Sequence, residues 1–396
     1  MTRGPAAIPA GGPQGAGSVP HGAVRRTLSV PTCSGGSGFI GGGFDNVAFG
    51  TESGVLEGSE NEVCESNSSI ANGFSNAISG GGAAYDSFIG SGQANTITGS
   101  AEYGFIGGGD DNTLTAQGAA ISGGAGNQNA GTDAMLGAGS SNTITSAATY
   151  GVIAGGINNK VSGEGGYIAA GGYNTLSGEG AVIDGGFSNT ASGNFATIPG
   201  GYENSAAGIY SFAAGVHASA VQNGTFVWSD GSNGDTTLAS VRAYQFLARA
   251  SGGFTLWTNA ASTVGATLAP GSGTWASASD RNMKMNVVRV DDSAVLDKVA
   301  SLPINRWSYI TERGVRHVGP MAQDFYAAFG VGEDDKHITS IDEDGVALAA
   351  IKALHAENAA LRARLAAATA RQARRDADMQ RRLDRLSAVV ETLRER

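Results

Sequence analysis

The stretch NTLSGEGAVIDGGFSNTASGNFATIPGGYENSAAG, residues 174–208, repeats one motif: an aliphatic residue, glycine three positions later, asparagine three after that. Ile183, Gly186 and Asn189 form one copy, and Ile198, Gly201 and Asn204 the next. Extended outward, the motif occurs eleven times between Ile40 and Asn204, with seven of the ten asparagine intervals at 15 residues and the others at 19, 17 and 17. A period this regular predicts a stacked array rather than a globule around one core. Each repeat carries two strand-like pieces, one around the aliphatic residue, as in YGVIAGG (150–156), and one after the asparagine, as in NTITG (95–99). Alternation sends one aliphatic inward per strand and Ser, Thr and Asn outward. Glycines sit at the corners, where the backbone turns or is closely approached. The expected class is mostly β, a parallel β-roll or β-solenoid. The recurring asparagine reads as a turn and ladder residue rather than a ligand row, because every rung has it. Calcium-binding nonapeptide rolls have a different period and use Asp, so calcium is not expected.

Charge is scarce and unevenly placed. Only 15% of the 396 residues are charged, and 63 are glycine. From Ser34 to Ala239 the only Lys or Arg is Lys160, against seventeen Asp and Glu. Such an array cannot neutralise phosphates, which excludes nucleic acid as its partner. From Val346 onward there are eleven Lys and Arg against six acids, interleaved with apolar heptad positions as on a solvated helix face. No apolar run approaches the roughly 20 residues of a membrane-spanning helix, so no membrane insertion is expected. Residues 1–34 are Gly/Pro-rich and read as a disordered lead-in without a recognisable signal peptide. Cys33 and Cys64 lie about two repeats apart, near 10 Å at ordinary strand spacing, and are expected to be unpaired thiols. The five histidines and two cysteines show no metal-ligand spacing, so neither metal nor cofactor is expected.

Behind the array (residues 35–218) the chain changes character. FVWSDGS (226–232), AYQFLARASGGFTLWT (243–258) and GTWASAS (273–279) predict a β neck over 219–278. Residues 279–345 read as a small α+β domain and 346–396 as a coiled-coil helix. In that helix Ile351, Leu354, Asn358, Leu361, Leu365 and Ala368 keep a 3-4 spacing that resumes at Met379, Leu383, Leu386, Val390 and Leu393 after a stutter. Between neck and helix stands SDRNMK, starting at Ser279. Ser279 and Lys284 meet only if the chain bends at Asp280, Arg281 and Asn282. A lysine buried beside Met283, Met285 and Val287 would lose its proton more easily and serve as base to the serine. On spacing alone the pair carries little weight.

Two resemblances sharpen this reading. Units such as IDGGFSNTASG (183–193) and IPGGYENSAAG (198–208) resemble the head repeats of trimeric autotransporter adhesins over residues 35–218. That resemblance implies three left-handed β-rolls about a threefold axis, with SFAAGVHASA (211–220) as a degenerate cap. The terminal β-barrel strands of that family are not seen, so self-anchoring is not supported. SDRNMK, RHVGPMAQDF (316–325) and HITSIDEDGVALAAIKAL (337–354), followed by the helix, resemble the self-cleaving C-terminal intramolecular chaperones of phage endosialidase tailspikes. This resemblance covers Ser279 to about Leu365. It implies Ser279 as nucleophile, Lys284 as general base and Ala278–Ser279 as the scissile bond, with Asp280 forming the turn and positioning. His317 and His337 read as structural.

The expectation is thus a homotrimeric fibre or adhesin-like surface protein, at a cell surface or in a virion-like fibre, with a cell-surface glycan or host receptor as partner. Two alternatives stand beside it. One is a tailspike that degrades polysaccharide, which needs a carboxylate pair across a cleft; Asp110, Asp111, Asp184 and Glu203 are scattered instead. The other is an uncleaved trimerisation clamp.

Overall fold

The computed structural model describes residues 36, 38–234, 236–312 and 314–395. It divides into two compact units, Met1–Ala278 and Ser279–Arg396.

The first unit is a parallel β-solenoid of about 13 turns, since its second sheet stacks 13 strands, one per turn. Pairing is in register: Val152 faces Tyr167 and then Val182, while Ile153 faces Ile168 and then Ile183. Because side chains alternate, this register lines up every aliphatic in one internal column per sheet. Ile153, Ile168, Ile183 and Ile198 fill one column, and Ile144, Val161 and Leu176 the other, all fully buried. At ~1.5–3 kcal/mol per buried aliphatic side chain, each turn contributes little alone and depends on its neighbours. One position in the second column is polar. Asn129 stands between Leu114 and Ile144, and its Nδ2 donates to the carbonyls of Ala120 and Ala134 at 3.0 and 2.9 Å.

The recurring asparagines point inward, contrary to the outward direction expected from alternation. Asn61 to Asn204 are buried. In a typical rung, Asn142 Nδ2 donates to Asn127 Oδ1 at 3.1 Å and to the Gly156 carbonyl at 2.9 Å, while its Oδ1 accepts the Asn159 N–H at 3.0 Å. A side chain that bonds both neighbours is stable inside, and this ladder accounts for its recurrence on every rung. The motif's glycine follows from the same geometry. At Gly139 φ is +104°, and a Cβ would sit 2.1 Å from the Gly156 carbonyl oxygen that Asn142 binds.

Parallel stacking runs past residue 218. The ladder ends at Asn204, whose Oδ1 accepts the Ala218 N–H at 2.9 Å. The strands Phe226–Asp230 and Phe246–Arg249 nevertheless continue the first sheet, and Leu238–Ala239 the second. Stacked rings take over from the asparagines there, with Phe212, Phe226 and Phe246 at centroid spacings of 4.6 and 4.7 Å. Only then does the neck adopt a fold of its own, an antiparallel sheet of Phe254–Trp257, Gly265–Leu268 and Trp275–Ser277.

Cys64 is disulfide-bonded, which corrects the expectation of a free thiol. Rung spacing limits only pairs in which both cysteines are built into rungs. The other cysteine of the chain, Cys33, lies outside the described residues, as does the lead-in 1–34.

The second unit begins with a 3-10 turn, Arg281–Met283. Helix α1 (Asp292–Ser301) is capped by Asp291, whose carboxylate accepts the Ser293 and Ala294 N–H groups. A hairpin of Asn305–Trp307 and His317–Gly319 follows, then α2 (Ala322–Phe329), which stops at Gly330 in left-handed conformation. Helix α3, Ser340–Arg394, starts six residues before the expected boundary at 346, because Thr339 caps it by accepting the Asp342 N–H. Val295, Phe325, Ala350 and Ala353 are the buried apolar residues of the three helices. Among the described residues no helix is long and apolar enough to cross a membrane.

Candidate active site

Ser279 is the first residue of the second unit, and the bond before it joins the two units. Asp280 sets the local geometry. Its Oδ1 accepts the Asn282 N–H at 2.9 Å and the Asn282 Nδ2 at 3.1 Å. This bond caps the turn Arg281–Met283, and the Lys284 N–H closes it on the Arg281 carbonyl at 3.2 Å. The turn folds the chain back by the five residues that an extended strand would have spread apart. As a result Lys284 Nζ donates to Ser279 Oγ at 2.7 Å. Asp280 therefore sits where a turn-forming residue must. The bend runs over Asp280, Arg281 and Asn282 as the sequence implied, and Asn282 supplies the partner of the Asp280 carboxylate.

Burial differs from expectation. Met285 and Val287 are 83% and 76% exposed, and Met283 is 43% exposed. Ser279 and Lys284 are exposed as well. Among the described residues of the second unit, nothing packs over these apolar neighbours of the lysine. The exposed Val288, Ile310 and Val318 add to this uncovered apolar surface.

His317 and His337 stand apart from the pair in their contacts. His317 stacks on Trp307 at 4.7 Å and its Nε2 lies 3.3 Å from Glu312 Oε2. His337 Nδ1 lies 2.9 Å from Asp334 Oδ1. Hydrogen bonds from the Lys336 N–H and from His337 hold the Asp334 carboxyl below its ordinary value, as expected of a loop-bracing group. Among the described residues no group of three or more His, Cys, Asp or Glu could hold a metal ion.

The pattern that begins at Ser279 is a recognised one. Residues 279–330 match the family model described as the chaperone of endosialidase (Peptidase_S74). Proteins of that family are self-cleaving intramolecular chaperones, and the match opens on the serine that Lys284 contacts. A comparison with curated proteins finds no match to the chain. A chaperone segment of this kind behind a parallel β-solenoid points to a tail-fibre or tailspike-like protein.

Proposed function

We propose that the chain is the protomer of a homotrimeric fibre or adhesin-like surface protein, whose C-terminal chaperone aligns three chains and then cuts itself off before Ser279. The observation that carries this reading is the 2.7 Å contact between Lys284 Nζ and Ser279 Oγ at the first residue of the matched segment. With Lys284 neutral, the Ser279 hydroxyl gives its proton to Nζ as Oγ attacks the Ala278 carbonyl carbon. Collapse of the tetrahedral intermediate breaks the Ala278–Ser279 C–N bond, and the proton passes to the departing amine. The Ala278 acyl group is then an ester on Ser279 Oγ, which one water hydrolyses to a free carboxylate and the regenerated hydroxyl. No substrate pocket is needed, because nucleophile and carbonyl belong to adjacent residues. Asp280 acts by holding the turn.

A lysine is a poor base while solvated and protonated. The exposed Met285, Val287 and Val288 supply a reason for cleavage to await assembly: neighbouring chains packing on them would desolvate Lys284. Near-identical rungs also pair out of register at little cost, so a template that aligns the chains first has a purpose. Removing it afterwards leaves the fibre kinetically locked. The array then presents a long surface to a cell-surface glycan or host receptor.

Expression followed by a denaturing gel tests the proposal. Wild type should yield fragments 1–278 and 279–396, and Ser279→Ala and Lys284→Met should each yield one full-length band. Cleavage that persists in Ser279→Ala would remove the nucleophile assignment. An intact wild-type trimer would leave the domain as an uncleaved clamp.

A further inference from the structure

Three asparagine intervals exceed 15 residues: Asn76 to Asn95, Asn95 to Asn112, and Asn142 to Asn159. In all three the extra residues fall at the same corner of the coil, between the strand after the asparagine and the next aliphatic strand. The corners lie between Ala77–Ser79 and Phe88–Ile89, Thr96–Thr98 and Phe105–Ile106, and Thr143–Ile144 and Val152–Ile153. The two coils between these enlarged corners have ordinary length. They form the floor of a recess of about 460 Å³, walled on one side by two long corners and on the other by one. Along the solenoid it covers three rung spacings, roughly 14 Å. Insertions gathered on one face of a repeat array commonly mark its binding face.

The recess is built, not loose. Glu65, 1% exposed, accepts the Gly82 N–H at 2.9 Å and the Gly80 N–H, bracing the longest corner from the preceding rung. Glu102 receives the Gln117 Nε2 at 2.8 Å, and its carboxylate raises the phenols of the neighbouring Tyr85 and Tyr103. Those two rings meet edge to face at 6.3 Å. Interaction with Glu102 pushes the Tyr85 phenol up to about 12. Preorganised groups of this kind lose little freedom on binding.

The lining selects a ligand class. Thr115, Gln117 and Thr132 form the floor, and Tyr85, Glu102 and Ser146 stand at the walls. No Lys or Arg lines the recess, and Lys160 is the only one in the surrounding array, so a phosphate or acidic sugar would meet Glu102 without a counter-charge. A protein partner would need apolar anchor pockets at the centre of the contact, whereas this floor carries two threonines, a glutamine and only the small apolar side chains of Ala116 and Ala130. Hydroxyl pairs of a sugar both donate and accept, which suits a planar carboxylate, an amide and hydroxyls side by side. Tyrosine adds an apolar ring with a polar tip.

We propose that this recess binds a short uncharged oligosaccharide. The proposal deepens the fibre reading by naming the ligand class of its array, and does not depend on cleavage. Saturation-transfer NMR on the purified full chain tests it, with maltotriose, cellotriose and chitotriose as probes and trigalacturonate as the acidic comparison. At least one uncharged probe should receive saturation from wild type and from Glu179→Trp, a bulky change at the equivalent corner outside the recess. Transfer should fall at least tenfold in Thr132→Trp, which fills the floor, and in Gln117→Ala. Where Thr132→Trp fails to fold, Gln117→Ala decides. Transfer to no uncharged probe, to trigalacturonate alone, or undiminished in both floor variants overturns the proposal. So does loss of the oligomer in Thr132→Trp, which would make the recess a contact between chains. The cleavage gel and the oligomer mass report on the fibre reading separately.

Discussion

At the scale of single residues, two small groups carry the molecule: the glycine–asparagine pair of each rung and the serine–lysine pair at the unit boundary. Gly139→Ala would set a methyl 2.1 Å from the Gly156 oxygen at a φ of +104°. The expected cost is at least ~1–3 kcal/mol of strain, read as a lower urea midpoint in the Ser279→Ala background, where cleavage does not intervene. Asn142→Ala leaves the Asn159 N–H without its acceptor, while the Asn127 Oδ1 keeps only the backbone N–H of residue 142. A comparable loss of ~1–3 kcal/mol per buried orphan group is expected from the same measurement, and an unchanged midpoint would remove the ladder from the account. The motif was legible in the sequence because only one geometry demands Gly and Asn three apart on every turn. The direction of the asparagine was not, since strand alternation assigns it to the wall. Its inward position depends on a hydrogen bond from the next rung, which a single repeat cannot reveal. The contact between Ser279 and Lys284 was legible only as a condition, a bend over Asp280 to Asn282, and that bend is present. The burial expected around Lys284 is absent among the described residues, where Lys284, Met285 and Val287 are exposed.

At the scale of elements, the end of the solenoid and the long helix behave differently from their sequence patterns. Loss of the asparagine at Ala218 looked like a cap, yet backbone pairing continues to Arg249 because stacked phenylalanines supply the register. Asp230 fastens this last stretch. Burial raises its pKa, but hydrogen bonds from Ser251 and Ser232 outweigh burial and hold the carboxyl well below its ordinary value of 3.8. The Ser251 N–H reaches Asp230 Oδ2 at 2.6 Å. A carboxyl depressed in the folded state adds stability that is present above its unfolded pKa and lost as pH falls through the folded one. Thermal melts of the Ser279→Ala chain between pH 7 and 2 should therefore show a decline below about pH 4, and Asp230→Asn should remove part of that decline. A decline of equal size in both chains would contradict the role. Helix α3 offers a plainer test. Leu361, Leu365 and Leu383 are 58%, 69% and 50% exposed although they keep heptad spacing, a stripe that calls for a partner helix. The double variant Leu361→Asp, Leu365→Asp should lower the mass seen by light scattering to that of a monomer, and an unchanged trimer mass would refute the seam.

At the scale of the whole molecule, regularity and chemistry are kept apart. The solenoid is repetitive and acidic; the second unit carries the Ser279–Lys284 contact, and the matched family segment begins where it begins. Fold class was legible because a 15-residue period admits few structures. The recess was not, since it comes from which coils are longer and not from any motif. If neighbouring chains desolvate Lys284, cleavage should depend on assembly. The Leu361→Asp, Leu365→Asp chain should then cleave at least tenfold more slowly than wild type at equal concentration in a timed gel. Equal rates would place the whole reaction within one chain. The most direct measurement is the intact mass and N-terminal sequence of the small fragment from wild-type protein. The account predicts a free amine on Ser279, a sequence starting Ser-Asp-Arg-Asn, and a larger fragment ending in the carboxylate of Ala278. A cut at any other bond, or a full-length chain within a soluble trimer, would contradict it.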